Sequence, residues 1–345
     1  MSAMKTAGGD PRSRGDSGAA HAGVAAVTIH EVGLRDGLQI EKQTVPTERK
    51  LAWIDRLARS GLNLIQVGSF VNPQKMPQMA DADELFRRLN AAARVPGVVF
   101  SGLVLNERGL ERGLACGVDY FCMGVSASDT HSRKNTGMGT AEAADRIIAM
   151  GRQAAGAGKG VQMSVQSAFG CGYEGAVPRA RVLDLVRRFV DAGLTAVSLA
   201  DTAGHADPAQ VEDLFAAVRA IGDGIAMTCH FHDTFGLGLA NAYAAYRAGV
   251  TSFESAFGGL GGCPFTAVAA GNVCTEDLVH LFNRLGLCHD VRLEAIAEVT
   301  RDAAAFFGRA LPGVIHKTGQ IPYAGPGRRG GARIVPDPTV GGWES

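Results

Sequence analysis

The sequence predicts an α/β chain closed into a (β/α)8 TIM barrel. Short apolar runs alternate with helical patterns eight times between residues 27 and 285. Five of the helical patterns end in a glycine signal before the next apolar run. The first run leads into no Gly-x-Gly-x-x-Gly turn, so the competing doubly wound open sheet lacks its signature. A length of 345 residues suits one barrel with extensions.

The strand-like runs cover residues 27–31, 64–67, 98–104, 120–123, 161–165, 196–199, 225–229 and 252–255. The helical patterns cover 46–60, 83–93, 107–116, 140–157, 178–192, 208–221, 236–248 and 272–285. Pro46, Pro178 and Pro208 open three of them, where a missing N–H costs nothing. The glycine signals are Ser60-Gly61, Cys116-Gly117, Ala157-Gly158, Ala192-Gly193 and Ala248-Gly249. Eight right-handed βα units in series close most naturally on themselves.

Outside the barrel, residues 25–310, lie two segments of different composition. Residues 1–24 are mostly Gly, Ser, Ala, Asp and Arg without apolar periodicity, which predicts a disordered leader. A transit peptide is the alternative reading, and Asp10 and Asp16 argue against it. Residues 311–345 form a C-terminal extension, rich in Gly, Pro and Arg from Gly319 onward, predicted to be irregular and to hang free or lie across a neighbour.

Lys+Arg and Asp+Glu both total 34, so nothing in the charge balance favours nucleic acid or an anionic membrane surface. No apolar run approaches the length of a membrane span. The 46% hydrophobic content is enough to bury a large core. Seven scattered cysteines, with no Cys-x-x-Cys pair, predict reduced thiols and a cytoplasmic location.

In a barrel of this kind the chemistry sits at the C-terminal ends of the strands. Those ends carry Arg35 and Asp36, Gln66 and Ser69, Gln166, Asp201, His230 and His232, and Glu254, with Cys263 and Asn272 in and after the last loop. Two histidines at i and i+2 project from one side of a strand, so both imidazoles reach one ion at its end. Asp36, in the charged turn after the first strand, is the candidate oxygen ligand. A His-x-His pair alone also fits one core and one surface histidine. Asn272 equally suits a helix cap. Glu254 faces either the mouth or an arginine outside and carries no assignment.

The motifs Arg35-Asp36-Gly37-Leu38-Gln39, Ser69-Phe70-Val71 with Pro77-Gln78-Met79, Gly170-Cys171 with Tyr173-Glu174-Gly175, Asp201-Thr202, His230 to Thr234, and Gly258 to Pro264 with Gly271-Asn272 and Thr275-Glu276-Asp277 stand in one order. Together they resemble the 3-hydroxy-3-methylglutaryl-CoA lyase family, within a superfamily that also holds Claisen synthases. The likeness runs from about Glu31 to about Leu285.

It implies Mg2+ or Mn2+ held by Asp36, His230, His232 and Asn272, ligands that suit such ions. It implies that Arg35 stabilises the enolate oxygen, that Cys263 protonates the carbanion, and that Asp201 takes part in removing the substrate's hydroxyl proton. Glu276 would orient Asn272 or its helix from behind, and Gln39 would lie against the substrate. The bland reading of Cys263 is a small buried hydrophobe, against which stand the glycines before it.

Two positions depart from the lyase pattern at the substrate end. Gln66 stands where the lyases carry a glutamate, so an amide replaces a negative charge. Gln166 brings a bulkier amide to the end of the fifth strand. Around His131 the chain resembles the synthases as much as the lyases, and that histidine contacts a substrate carboxylate or is a solvated loop residue. The stretch His316-Lys317-Thr318-Gly319 resembles a segment beyond the barrel in citramalate-type synthases. Lys317, Arg328 and Arg329 either meet CoA phosphates or belong to a solvated tail.

The expected activity is a metal-dependent carbon–carbon lyase acting on an acyl-CoA or hydroxy-acid related to 3-hydroxy-3-methylglutaryl-CoA, with the substrate altered at Gln66 and Gln166. A Claisen synthase condensing acetyl-CoA with a 2-oxo acid is the rival enzyme, and a catalytically silent barrel subunit the rival of another class. A homodimer or higher homo-oligomer is expected from the resemblance.

Overall fold

The structure is a computed structural model that describes residues 26–262 and 271–321. Eight parallel strands form one closed sheet in sequence order: β1 (Thr28–Glu31), β2 (Leu64–Ser69), β3 (Val99–Leu103), β4 (Tyr120–Ser126), β5 (Gly160–Gln166), β6 (Ala196–Asp201), β7 (Ala226–Phe231) and β8 (Ser252–Ser255). Closure is made by β1 against β8, with His30 in register with Glu254. The expected barrel is the observed one.

The helices between the strands are α1 (Thr47–Arg59), α2 (Ala82–Ala91), α3 (Glu107–Ala115), α4 (Asp129–Thr136), α5 (Thr140–Gly156), α6 (Arg179–Asp191), α7 (Pro208–Arg219) and α8 (Gly238–Arg247). After β8 come α9 (Thr275–Arg284), α10 (Leu293–Phe307) and the single turn α11 (Ile315–Thr318). Most of the helices around the barrel bury an apolar stripe, as Val182, Leu185, Val186 and Phe189 of α6 do, whereas α4 buries only His131 and Ser132. Side-chain caps fix several starts: Asn106, Ser128 and Asp207 accept from the backbone N–H three residues on. Trp53 of α1 is fully buried and donates its indole N–H to Asp302 of α10 at 2.6 Å, which ties the last long helix to the first.

Three stretches differ from the sequence expectation, and α10, a helix that expectation did not name, is a fourth. The helix expected from residue 272 begins at Thr275, because residues 271–274 stay extended to pair with both neighbours. Val273 donates to the Phe231 carbonyl and Ala256 to that of Val273, so Asn272 lies ahead of the helix and does not cap it. The stretch after β4, expected as a loop, contains α4, which its Ser128 cap starts and Gly137 ends in the left-handed conformation. Within the C-terminal extension, Leu311 and His316 are buried and Gly313 donates to the Gly258 carbonyl at 3.1 Å. The leader (1–24) and residues 322–345 lie outside the described residues. Among those described, no helix is long and apolar enough to cross a membrane.

Candidate active site

The C-terminal rim of the barrel brings the sequence-predicted residues together. After β1 the chain turns at once into a π-helical turn, Gly33–Gly37, with Asp36 buried on it. His230 on β7 and His232 just beyond are both buried, their ring centroids 5.1 Å apart. That is the i, i+2 geometry expected of a strand end. Asp36 Oδ2 lies 3.8 Å from His230 Nε2 and 3.6 Å from His232 Nε2. One ligand atom from each of these three residues lies within 4.8 Å of the others.

Asn272 joins them from across the mouth through a backbone bridge to His232. Its Nδ2 donates to Asp36 Oδ2 at 2.8 Å and to the Leu260 carbonyl at 3.0 Å. Its Oδ1 is buried and takes no hydrogen bond from a described residue. A buried acceptor without a donor costs about 1–3 kcal/mol, and a cation would satisfy it. A carboxylate, two imidazoles and an amide oxygen form a donor set that suits a hard divalent ion. Gly261 makes the approach possible: at φ +112° its bare α-carbon faces Asn272, and a Cβ there would lie 2.6 Å from Nδ2.

Arg35 sits beside this cluster, with Nη1 donating to Asp36 Oδ1 and Nε to Gln66 Oε1. Gln39 donates to Asp36 Oδ1 at 3.2 Å. Burial favours the neutral form of Asp36, yet Arg35, His232 and His230 outweigh it and hold the carboxyl well below the usual range. The site therefore presents an anion to a cation at neutral pH. For His230 burial opposes protonation, and the Glu254 hydrogen bond with the nearby carboxylates reverses that and raises its pKa.

Asp201 ends β6, fully buried, and accepts the backbone N–H groups of His205 (2.8 Å) and Ala206 (3.1 Å). Burial raises its pKa above the usual carboxylate value, opposed by those two bonds. The group thus both folds its own loop and becomes a better proton acceptor. Gln166 ends β5, half-buried over Gly124. His131 is buried on α4, with Nε2 3.0 Å from Asn135 and its ring 6.4 Å from that of Tyr173; it is not a solvated loop residue. Glu276 is buried at the start of α9, where it accepts from Gly258 N (2.9 Å) and Thr300 Oγ1. Its contacts hold the base of the Gly-rich stretch, and among the described residues it makes no hydrogen bond to Asn272 itself. Cys263 lies outside the described residues.

Two buried acids carry weight that the sequence reading did not give them. Glu254 points into the barrel, 2.7 Å from His230 Nδ1. Glu31 closes β1, where Oε1 accepts from Gly33 N (2.6 Å) and Phe257 N (3.1 Å) and Oε2 lies 2.6 Å from Thr275 Oγ1. It clasps the turn bearing Asp36 to the stretch after β8. The sequence carried no signal for Glu254, because Ser252, Glu254 and Ser255 do not sort onto one face of their short strand.

Comparison with known proteins bears on this geometry. The HMGL-like family model matches residues 26–302, which is nearly all of the described barrel. The chain belongs to the HMGL-like family. It is 38% identical over 286 residues to the hydroxymethylglutaryl-CoA lyase of Bacillus subtilis, covering 83% of this chain and 95% of that one. It is also 38% identical over 303 residues to the (R)-citramalyl-CoA lyase of Chloroflexus aurantiacus, covering 86% and 96%. Among solved structures, the HMG-CoA lyase of Acinetobacter baumannii in complex with coenzyme A and 3-methylmalate matches with a TM-score of 0.80 and 35% identity, covering 87% of this chain and 97% of that one. As an HMGL-like protein the chain is similar along its barrel to curated lyases of two different acyl-CoAs.

Proposed function

We propose that the protein is a divalent-metal-dependent carbon–carbon lyase that cleaves a 3-hydroxy acyl-CoA to acetyl-CoA and an oxo acid. The observation that carries this reading is the meeting of Asp36, His230, His232 and Asn272 beside the Arg35 guanidinium. Mg2+ or Mn2+ would be held by those four residues and, when bound, would bring the substrate's hydroxyl and carbonyl oxygens together and polarise them.

The chain's own residues supply the rest. Asp201, its basicity raised by burial, takes the hydroxyl proton. As that oxygen becomes a carbonyl, the bond between the hydroxyl-bearing carbon and the thioester's α-carbon breaks, and its electron pair moves onto the thioester as an enolate. Arg35 places fixed positive charge where the enolate oxygen develops, a preorganised contribution of the kind that is often worth 10²–10³ in rate, roughly. Cys263 returns a proton to the α-carbon. The Gly-rich stretch that carries it is anchored at its base by Glu276 and Gly313 through Gly258.

The finer substrate follows from Arg35. Its side chain is shared between Asp36 and the uncharged Gln66, so the mouth lacks one negative charge that the lyase pattern has. A neighbouring substrate carboxylate or hydroxyl is then better tolerated there, in line with a related acyl-CoA in place of 3-hydroxy-3-methylglutaryl-CoA itself. Gln39, Gln166 and His131 would line the same end. As part of the reading the protein is a cytoplasmic homodimer, and the six described cysteines, all unpaired, fit a reducing compartment.

Incubation with Mn2+ and a panel of 3-hydroxy acyl-CoAs, including 3-hydroxy-3-methylglutaryl-CoA and citramalyl-CoA, tests it. The expected result is acetyl-CoA plus an oxo acid, with faster turnover of an analogue than of 3-hydroxy-3-methylglutaryl-CoA. Release of free CoA thiol from acetyl-CoA and a 2-oxo acid, without cleavage of any panel member, would establish the synthase instead.

A further inference from the structure

Beneath the metal-ligand cluster the barrel interior is polar where packing alone would favour branched apolar side chains. Glu254 of β8 lies at its centre, buried. Its Oε2 is 2.7 Å from His230 Nδ1, its Oε1 accepts from Gln162 Nε2 of β5 at 2.5 Å, and His30 Nδ1 of β1 stands 3.5 Å from Oε1. His30 is held in turn by Ser101 Oγ of β3, 2.7 Å from its Nε2. One carboxylate thus ties together side chains from four strands. A buried carboxylate costs much unless it is met by donors, and here both oxygens are met.

The contact to His230 has a chemical consequence. An ionised carboxylate only accepts, so a 2.7 Å approach to Nδ1 requires a proton on that nitrogen. With the proton on Nδ1, the neutral ring has its lone pair on Nε2, the nitrogen that faces Asp36 Oδ2. The opposite tautomer would set two lone pairs against each other across 2.7 Å. His232 has no such support: its Nδ1 is buried without a hydrogen-bond partner among the described residues. The two histidines are therefore prepared for a cation in different ways.

We propose that Glu254 is the positioning residue for His230: held by Gln162 and flanked by His30, it fixes the Nδ1–H tautomer and the ring plane so that Nε2 is presented to the metal. This rests on the metal-centre reading above. Carboxylates behind ligating histidines typically contribute about 10–100-fold in metal affinity. The loss should be confined to His230, because Glu254 makes no described contact with the other candidate ligands.

The test uses the purified full chain and two variants, Glu254→Gln and Glu254→Ala. Glu254→Gln keeps the shape and one oxygen acceptor, and so carries the test if Glu254→Ala does not fold. Mn2+ affinity is read from the electron paramagnetic resonance signal of free Mn2+, and the tautomer of His230 from long-range 15N–1H correlations of the metal-free protein. The expected result is an Nδ1–H tautomer in the unsubstituted protein, a mixed or Nε2–H tautomer in Glu254→Ala, and Mn2+ affinity reduced about 10–100-fold there and by less in Glu254→Gln. If the unsubstituted protein binds Mn2+ while both folded variants bind it within twofold and keep the Nδ1–H tautomer, Glu254 does not position the ligand. If the unsubstituted protein binds no Mn2+, the metal-centre reading itself falls, and the inference with it.

Discussion

Replacing Glu31 by glutamine should leave stability nearly unchanged in acid and raise it progressively as the pH increases. Glu31 is fully buried, and burial pushes its carboxyl from 4.5 up to about 8, against the opposing hydrogen bonds from Thr275, Gly33 and Phe257. The folded chain therefore holds a proton at this site that the unfolded chain has released between pH 4.5 and 8. Stability is highest, as far as this group is concerned, below pH 4.5. It falls as pH rises to about 8 and is flat beyond, where both states are ionised. At about 1.4 kcal/mol per pH unit the full cost approaches about 5 kcal/mol above pH 8. Glutamine mimics the protonated acid: its oxygen accepts from Gly33 and Phe257, and its amide donates to Thr275, whose hydroxyl then turns to Ser255 Oγ at 2.8 Å. Thermal unfolding of both proteins from pH 5 to 9 measures the difference. Across that window the variant's advantage should grow by about 4 kcal/mol, or about 8 °C in melting temperature at about 2 °C per kcal/mol for a chain of this size. A difference that stays constant across that window would show that Glu31 is ionised in the folded state and would refute the reasoning.

Gly261→Ala should weaken Mn2+ binding at least tenfold with a small loss of stability, because the new Cβ would sit 2.6 Å from Asn272 Nδ2 in a backbone conformation that disfavours side chains; a Mn2+ titration beside a melting curve reads both. Gln66→Glu should give Arg35 a second carboxylate partner and raise the preference for 3-hydroxy-3-methylglutaryl-CoA over its analogues about tenfold or more, read as the ratio of kcat/KM values in a competition assay. An unchanged ratio would remove Gln66 from the account of specificity.

The barrel was legible because its two signals, apolar runs and glycine stops, are local. So was the core of the site: His230 and His232 share a strand and a face, and Asp36 follows the first strand. What escaped needed three dimensions. Whether Glu254 faced in or out depended on the register of β8 against β1 and β7, which no single strand reveals. Glu31 looked like the last residue of a strand, and its significance comes from complete burial against residues more than two hundred positions away. The helix start near Asn272 was misplaced because residues 271–274 pair with β7 and β8. The helical patterns read from the sequence stopped at residue 285 and so missed α10, although Leu293, Ile296, Ala297, Val299, Thr300 and Ala303 repeat at helical spacing.

The central claim is that four side chains from distant parts of the sequence close around one cation. Crystals of the full chain soaked in Mn2+, with data collected at the manganese absorption edge, test it most directly. The account predicts one anomalous peak at the barrel mouth, in coordination contact with Asp36, His230, His232 and Asn272. A fully occupied peak elsewhere, or none at this mouth at saturating Mn2+, would contradict it.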